Sequence, residues 1–168
     1  MVELTGFGEF EGVELLQRLP IFSKLSFDET SRLAAIIVRT EVGEGTIVIE
    51  QNALGDALYV IQEGEARVTR DLDLDGRHDS AEEIGRLGPG DLFGEMSLVD
   101  DLLTSARVTA MGPLRLLKMP KQGFTQLLAT DDRFAAKVYQ SFCRTLSDRL
   151  RRANELLSGN KVHSVQVR

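Results

Sequence analysis

The sequence predicts a mainly β domain, a β-barrel or jelly roll, carried between helices at its two ends. Three observations point there. Between residues 39 and 119, short runs of β-branched and aliphatic residues recur with glycine-bearing breaks between them, the texture of closely spaced strands. Ahead of this stretch stand a helix stop and a helix-capping signal. Behind it the apolar residues change to spacings of three and four, the period of a helix. The 168 residues suffice for one domain with a sizeable core. The expected organisation is a single domain over 1–168, with an N-terminal helical segment at 1–38, the barrel at 39–119, C-terminal helices at 120–157 and a tail at 158–168.

Taken in order, residues 1–10 carry no clear pattern and are expected to be loosely held. Val13 to Leu19 predicts a short helix stopped by Pro20. Ser26-Phe27-Asp28-Glu29 is a capping box in front of Leu33, Ala34, Ile36 and Ile37, which mark the buried stripe of a second helix. Strands are expected over 47–49, 58–61, 66–69, 105–110 and 114–119, with Gly43, Gly45, Gly55, Gly64, Gly85, Gly88 and Gly90 where the chain must turn. Pro120 sits where a helix starts, and Phe124, Leu127 and Leu128 give that helix a core face. Asp131 and Asp132 precede the longest helix, 133–157, whose stripe is Val138, Phe142, Leu146, Leu150, Ala153 and Leu157. The near half of the stripe suits the barrel. The far half is available to a second copy, so a homodimer through this helix is one arrangement the pattern allows. The helix is expected to stop near Ser158-Gly159-Asn160.

Composition narrows the function classes. No apolar run is long enough to span a bilayer, and the N-terminus lacks the basic and apolar regions of a signal peptide, so a cytoplasmic location is the default. Cys143 is the single cysteine, excludes an internal disulfide, and is expected as a small buried thiol on a helix. The net charge of −6 is uneven: acidic residues dominate 71–101, and the balance turns basic from Arg133, with Arg149, Arg151 and Arg152 clustered. A solvated helix face explains that cluster without a nucleic-acid or membrane partner. His78 and His163 are isolated, and no Ser-His-Asp or Cys-His arrangement is visible, so no enzyme, catalytic residue or required cofactor is assigned.

The acidic loop from Asp71 to Glu82 has carboxylates at positions one, three, five, nine and twelve and glycine at six, the spacings of a calcium-binding EF-hand loop. Residues 66–70 read as strand where a helix would be needed, and His78 takes the place of the usual aliphatic residue. An acidic hairpin tip also serves simply to keep a loop solvated. No metal site is assigned there.

The chemistry concentrates in Gly90-Asp-Leu-Phe-Gly-Glu-Met-Ser-Leu98 and its continuation to Thr104-Ser105-Ala106. The pattern reads as a strand end, a glycine hinge and one short helical turn. Gly94 lets the backbone approach a ligand, and the N–H groups opening the turn at 95–98 favour an anion. Glu95 is out of place beside an anion unless it accepts hydrogen bonds from hydroxyls of the same ligand. Together these features suggest a phosphorylated sugar.

Gly94-Glu95-Met96-Ser97-Leu98 followed by Ser105-Ala106 resembles the phosphate-binding cassette of the cyclic nucleotide-binding domain. Leu19-Pro20-Ile21-Phe22, Val42-Gly43-Glu44-Gly45, Ala57-Leu58-Tyr59-Val60-Ile61 and Gly64-Glu65-Ala66 resemble further landmarks of that family, in its order, so the likeness covers residues 14–157. The resemblance implies a jelly roll of the catabolite activator and protein kinase A regulatory type, with cAMP or cGMP as ligand. The cassette at 93–106 supplies the candidate site: Phe93, Gly94, Glu95, Met96, Ser97, Thr104, Ser105 and Ala106. It implies that Glu95 accepts from the ribose 2′-hydroxyl, that Ser105 and the backbone amides hold the cyclic phosphate, that Ala106 leaves room, and that the C-terminal helix closes over the base. The transcription-factor branch continues into a helix-turn-helix domain. The stretch from Asn160 to Arg168 is too short for one, so a sensor module without its own output domain is expected.

Thr104 departs from the family, which places an arginine there to pair with the phosphate. A threonine cannot copy a planar, charge-assisted donor. The lost bond is worth roughly 1.5–3 kcal/mol, at least about ten- to a hundredfold in affinity. Arg107 is no substitute, because Ala106, Val108 and Ala110 form the inward face of the strand and turn Arg107 outward. Arg149, Arg151 and Arg152 on the long helix are the remaining candidates. Two readings therefore stay open: a cyclic nucleotide sensor with an unnamed regulated partner, and a degenerate domain acting through protein contacts.

Overall fold

A computed structural model of the chain describes residues 2–4, 9–19, 21–71, 81–96 and 102–163. The elements run β1 (Val2–Leu4), α1 (Glu9–Arg18), α2 (Phe27–Ala34), β2 (Val38–Val42), β3 (Ile47–Ile49), β4 (Ala57–Glu63), β5 (Ala66–Asp71), β6 (Ala81–Leu87), β7 (Leu92–Phe93), β8 (Arg107–Ala110), β9 (Leu114–Pro120), α3 (Lys121–Ala129) and α4 (Asp132–His163). The strands form two antiparallel sheets, β1-β2-β9-β4-β7 and β3-β8-β5-β6. This is the mainly β jelly roll with flanking helices that the sequence predicts.

Strand β4 shows why the core divides in two. Ala57 through Ile61 are all buried, so the strand is covered on both faces. Alternation sends Leu58 and Val60 to one side, where they join Leu117 and Met119 against Leu16, Phe22, Leu33, Phe124, Phe134, Val138 and Phe142 from the helices. Ala57, Tyr59 and Ile61 point the other way and meet Val42, Ala66, Phe93, Val108, Ala110, Leu114 and Leu116 between the sheets. The site lies at the edge of this second cluster.

The capping box forms as expected: Ser26 Oγ accepts from the Glu29 N–H at 3.3 Å, and Glu29 Oε2 accepts from the Ser26 N–H at 2.6 Å. Glu29 also receives the Lys137 ammonium at 2.7 and 2.8 Å, tying α2 to α4. Burial works to raise the Glu29 pKa, but the hydrogen bonds from Lys137 and Ser26 outweigh it and hold the carboxyl below the usual carboxylate range. Asp131 Oδ1 accepts from the N–H groups of Arg133 and Phe134, both at 3.0 Å, and so caps the long helix. Arg32 reaches Asp131 at 3.0 Å and lies 5.5 Å over the Phe134 ring.

Several expectations are corrected. Residues 2–4 are a strand paired to β2, because the backbone of 39–41 offers an edge to pair with, and α1 begins at Glu9 rather than Val13. Strands β2 and β6 were not singled out from the sequence, and β7 was read only as a strand end ahead of Gly94: β2 carries Arg39 and Glu41 at its outward positions, β6 is charged and largely exposed, and β7 has only two residues. Helix α4 does not stop near 158–160 but runs on to His163. Cys143 is exposed, not buried, because the core-facing positions of its turn are taken by Ser141 and Phe142. Pro20, Ser97 and the loop at 72–80, with its calcium-like spacing, lie outside the described residues. Among the described residues no helix is long and apolar enough to cross a membrane.

Candidate functional site

The site begins where β7 ends. Pairing of Tyr59 with Phe93 in the ladder stacks their rings, with centroids 5.2 Å apart, and seats Phe93 in the inter-sheet core. The chain then turns at Gly94, whose φ of +83° is the left-handed region open to glycine. A Cβ there would stand 2.7 Å from the Ala57 carbonyl oxygen and 3.3 Å from Ile49 Cδ1, so the position excludes any side chain. This turn aims Glu95 inward, where it is 3% exposed. Met96 follows and is half exposed.

Opposite lies the return of the chain into β8. Ser105 is exposed, with Oγ 3.9 Å from Met96 Sδ, and Ala106 is half-buried. Between the two arms is a cavity of about 130 Å³. Phe93, Gly94, Glu95, Met96, Thr104, Ser105 and Ala106 all line it, so seven of the eight residues singled out from the sequence converge there. Its apolar wall, Ile49, Val68, Leu87 and Val108, was not singled out for the site. The small-then-branched alternation Ala66-Val68 and Ala106-Val108-Ala110 is the signal that could have found part of it.

Thr104 is 8% exposed, and its hydroxyl is engaged elsewhere. Oγ1 lies 2.5 Å from the Glu50 carbonyl oxygen, to which it donates, and accepts from the Ala53 N–H at 3.0 Å. The backbone completes the staple: Thr104 N–H donates to Ala53 O and Asn52 N–H donates to Thr104 O, both at 2.9 Å. Thr104 therefore pins the 50–53 turn. Arg107 points outward as expected and binds Glu50 at 2.6 Å. That hydrogen bond holds the Glu50 carboxyl below its ordinary value.

Of the three helix arginines considered from the sequence, Arg149 is the one that lines the cavity. Its Nη1 donates to Glu95 Oε1 at 2.6 Å, and its Nη2 donates to the Leu92 carbonyl. Arg151 is exposed and pairs with Asp148 at 3.2 Å, and Arg152 is exposed. Among the described residues Arg149 is the one cation lining the cavity, and it is bound to the carboxylate rather than held out to an anion. A larger cavity of about 310 Å³, lined by Glu14, Arg18, Arg39, Glu41 and Arg115 among others, shares no residue with the cassette. Its Arg115 pairs with Glu41 and Glu63.

Comparison with known proteins bears on the family and the fold. A family model described as the cyclic nucleotide-binding domain matches residues 39–131. The cAMP-dependent protein kinase regulatory subunit of Yarrowia lipolytica is 36% identical over 113 residues, 67% of this chain and 28% of that protein. The chain spans less than half the length of this and the other curated relatives it matches. A cyclic nucleotide-binding domain from Methylobacillus flagellatus superposes with a TM-score of 0.79 over 95% of this chain and 88% of that one, at 24% identity, a likeness of fold. The regulatory subunit of a cAMP-independent protein kinase A from Trypanosoma brucei superposes with a TM-score of 0.69 at 25% identity, over 82% of this chain and 46% of that one. A triple variant of that regulatory subunit, one of whose changes replaces threonine by arginine, is bound to cAMP in its A site.

Proposed function

Because the chain belongs to the cyclic nucleotide-binding domain family, we propose that it is a non-enzymatic regulatory sensor that binds a cyclic nucleotide, cAMP or cGMP, between the cassette and the barrel. The observation that carries this reading is Glu95, a buried carboxylate lining the cavity beside a glycine turn that no side chain could occupy. Glu95 takes the ribose 2′-hydroxyl. Ser105 and the amides after Gly94 face the cyclic phosphate, Ala106 leaves it room, and Phe93 and Met96 border the ligand. Ser97 and Thr104 complete the cassette, Thr104 through the turn it pins. A cytoplasmic setting, with neither a membrane nor a nucleic-acid partner, belongs to the same proposal.

The phosphate is held without the family arginine, so affinity is reduced by at least about ten- to a hundredfold. The T. brucei regulatory subunit supports this weighting: it belongs to a cAMP-independent kinase, and its cAMP-bound form carries a threonine-to-arginine change. Calorimetric titration with cAMP and cGMP into the millimolar range tests the reading. Binding lost in Glu95→Ala is the expected result; an unchanged affinity in that variant refutes the pose.

The engaged Thr104 hydroxyl and the Arg149–Glu95 ion pair favour a second reading, a domain that has lost its nucleotide and acts through protein contacts. Tyr139, Leu146 and Leu150 are exposed along α4 at spacings of seven and four and lie off the buried face, and they suit pairing with a second copy. Absence of heat with either nucleotide, joined to a dimer that Leu150→Asp dissociates, selects this reading over the first.

A further inference from the structure

We propose that the cavity between α1 and strands β2 and β9 is a second ligand site, and that it takes a sugar phosphate. The proposal stands apart from the nucleotide reading, since this cavity shares no lining residue with the one at the cassette.

The register of the sheet explains how the cations come together. Across β2 and β9, Arg39 pairs with Leu117 and Glu41 with Arg115. Leu117 belongs to the core under the helices, so Arg39, and the Glu41–Arg115 pair two residues along, share its face. Elsewhere on that face the helices cover Leu58, Val60, Leu117 and Met119. Toward the end of β2 the residues become charged. There α1 keeps Leu16 in the core and carries Glu14 and Arg18 at its exposed edge. The gap between helix and sheet is the cavity of about 310 Å³, and α1, β2 and β9 each deliver a guanidinium to it.

The carboxylates nearby leave donors to spare. Arg18 Nη2 stands 3.9 Å from Glu14 and Arg115 Nε stands 3.9 Å from Glu41, both too far for a hydrogen bond. Glu63, outside the cavity lining, anchors Arg115 through Nη2 and steadies its position. Planar guanidinium donors from separate elements match the terminal oxygens of a phosphate monoester. Glu14 and Glu41 would repel a bare anion, and with Gln62 they offer acceptors for hydroxyl groups. A ligand with a phosphate at one end and hydroxyls at the other satisfies both sets. A dicarboxylate brings no donor for the two glutamates. Leu15, half-buried in the lining, gives the apolar face of a sugar ring a surface to rest on. Bound there, the ligand joins α1 to the sheet.

The test is calorimetry of the full chain with glucose 6-phosphate and ribose 5-phosphate, with inorganic phosphate and glucose as controls. Saturable binding of a sugar phosphate is expected, with phosphate weaker and glucose silent. Arg18→Gln and Arg39→Gln each remove one charge-assisted donor and should weaken binding by about ten- to a hundredfold. Arg18 is exposed, so its variant tests the site even where Arg39→Gln fails to fold. Amide hydrogen exchange gives the second readout: the bound sugar phosphate should slow exchange across 13–18 in the wild type, and the same concentration should do so less in Arg18→Gln. No binding of either sugar phosphate overturns the site, as does binding undiminished in both variants or unchanged exchange in α1. Inorganic phosphate bound as tightly as the sugar phosphates overturns the ligand class, because Glu14 and Glu41 then contribute nothing.

Discussion

Replacing Thr104 by valine isolates one hydroxyl while keeping the side chain's shape. In the wild type that hydroxyl donates to the Glu50 carbonyl and accepts from the Ala53 N–H, in a site 8% exposed. Valine leaves both backbone groups without their partner, while the backbone bonds between Thr104 and residues 52 and 53 remain. Each buried group left unsatisfied costs about 1–3 kcal/mol, and partial relaxation of the turn recovers some of it, so a loss of about 2–3 kcal/mol is expected. For a domain of this size that corresponds to a fall in Tm of roughly 5–10 °C. Urea unfolding of wild type, Thr104→Val and Thr104→Ser measures it, with equal slopes required for the comparison. Serine keeps the hydroxyl and should cost less than about 1 kcal/mol, the methyl group alone. A valine variant within about 0.5 kcal/mol of wild type, the range of inert surface changes, would refute the claim that Thr104 serves the 50–53 turn.

The remaining predictions concern the helices. Glu29 has its pKa lowered in the folded state, so it adds stability above the ordinary carboxylate value, and that stability is lost as the pH falls through the folded value. Glu29→Gln should therefore be less stable than wild type at neutral pH and should approach it in acid; a constant difference across the pH range, followed by thermal unfolding, would count against the pairing with Lys137. Leu150 is 62% exposed, so Leu150→Asp should leave Tm within about 2 °C, since surface changes rarely exceed about 0.5 kcal/mol. Light scattering of the same variant should show loss of any self-association, and a dimer that persists would exclude this face of α4.

Much of the fold was legible because its signals are local. The capping box at Ser26–Glu29 needs only four residues, and it forms with both of its bonds. Strand β3 spans 47–49 as the run Ile-Val-Ile predicts, and Pro120 precedes α3. The signals failed where partners far along the chain decide. Val2–Leu4 is a strand because β2 lies beside it, and nothing within the first ten residues says so. The Ser158-Gly159-Asn160 cluster resembles a helix end, yet glycine and asparagine lower helix propensity by at most about 1 kcal/mol each, which a long helix already nucleated can absorb.

The site divides along the same line. Gly94 and Glu95 were legible because the requirement is a matter of residue type: a positive φ beside the Ala57 carbonyl needs glycine, and a buried acceptor in an otherwise apolar wall needs a carboxylate's reach. Arg107 was legible through alternation, since Val108 and Ala110 fix the inward face of β8. Thr104 was legible only as a missing arginine. Its own role depends on Glu50 and Ala53, more than fifty positions away in sequence, and no periodicity connects them. Arg149 was one of three candidates, and helical geometry explains the choice. It lies seven residues beyond Phe142, eleven beyond Val138 and fifteen beyond Phe134, on the face that already meets the barrel, while Arg151 is turned through about 200° from it at 3.6 residues per turn. The helix face that builds the core therefore also delivers the cation to the cassette. A change at Phe124 that shifts α4 through its ring contact with Phe142 should move Arg149 off Glu95 without touching either residue.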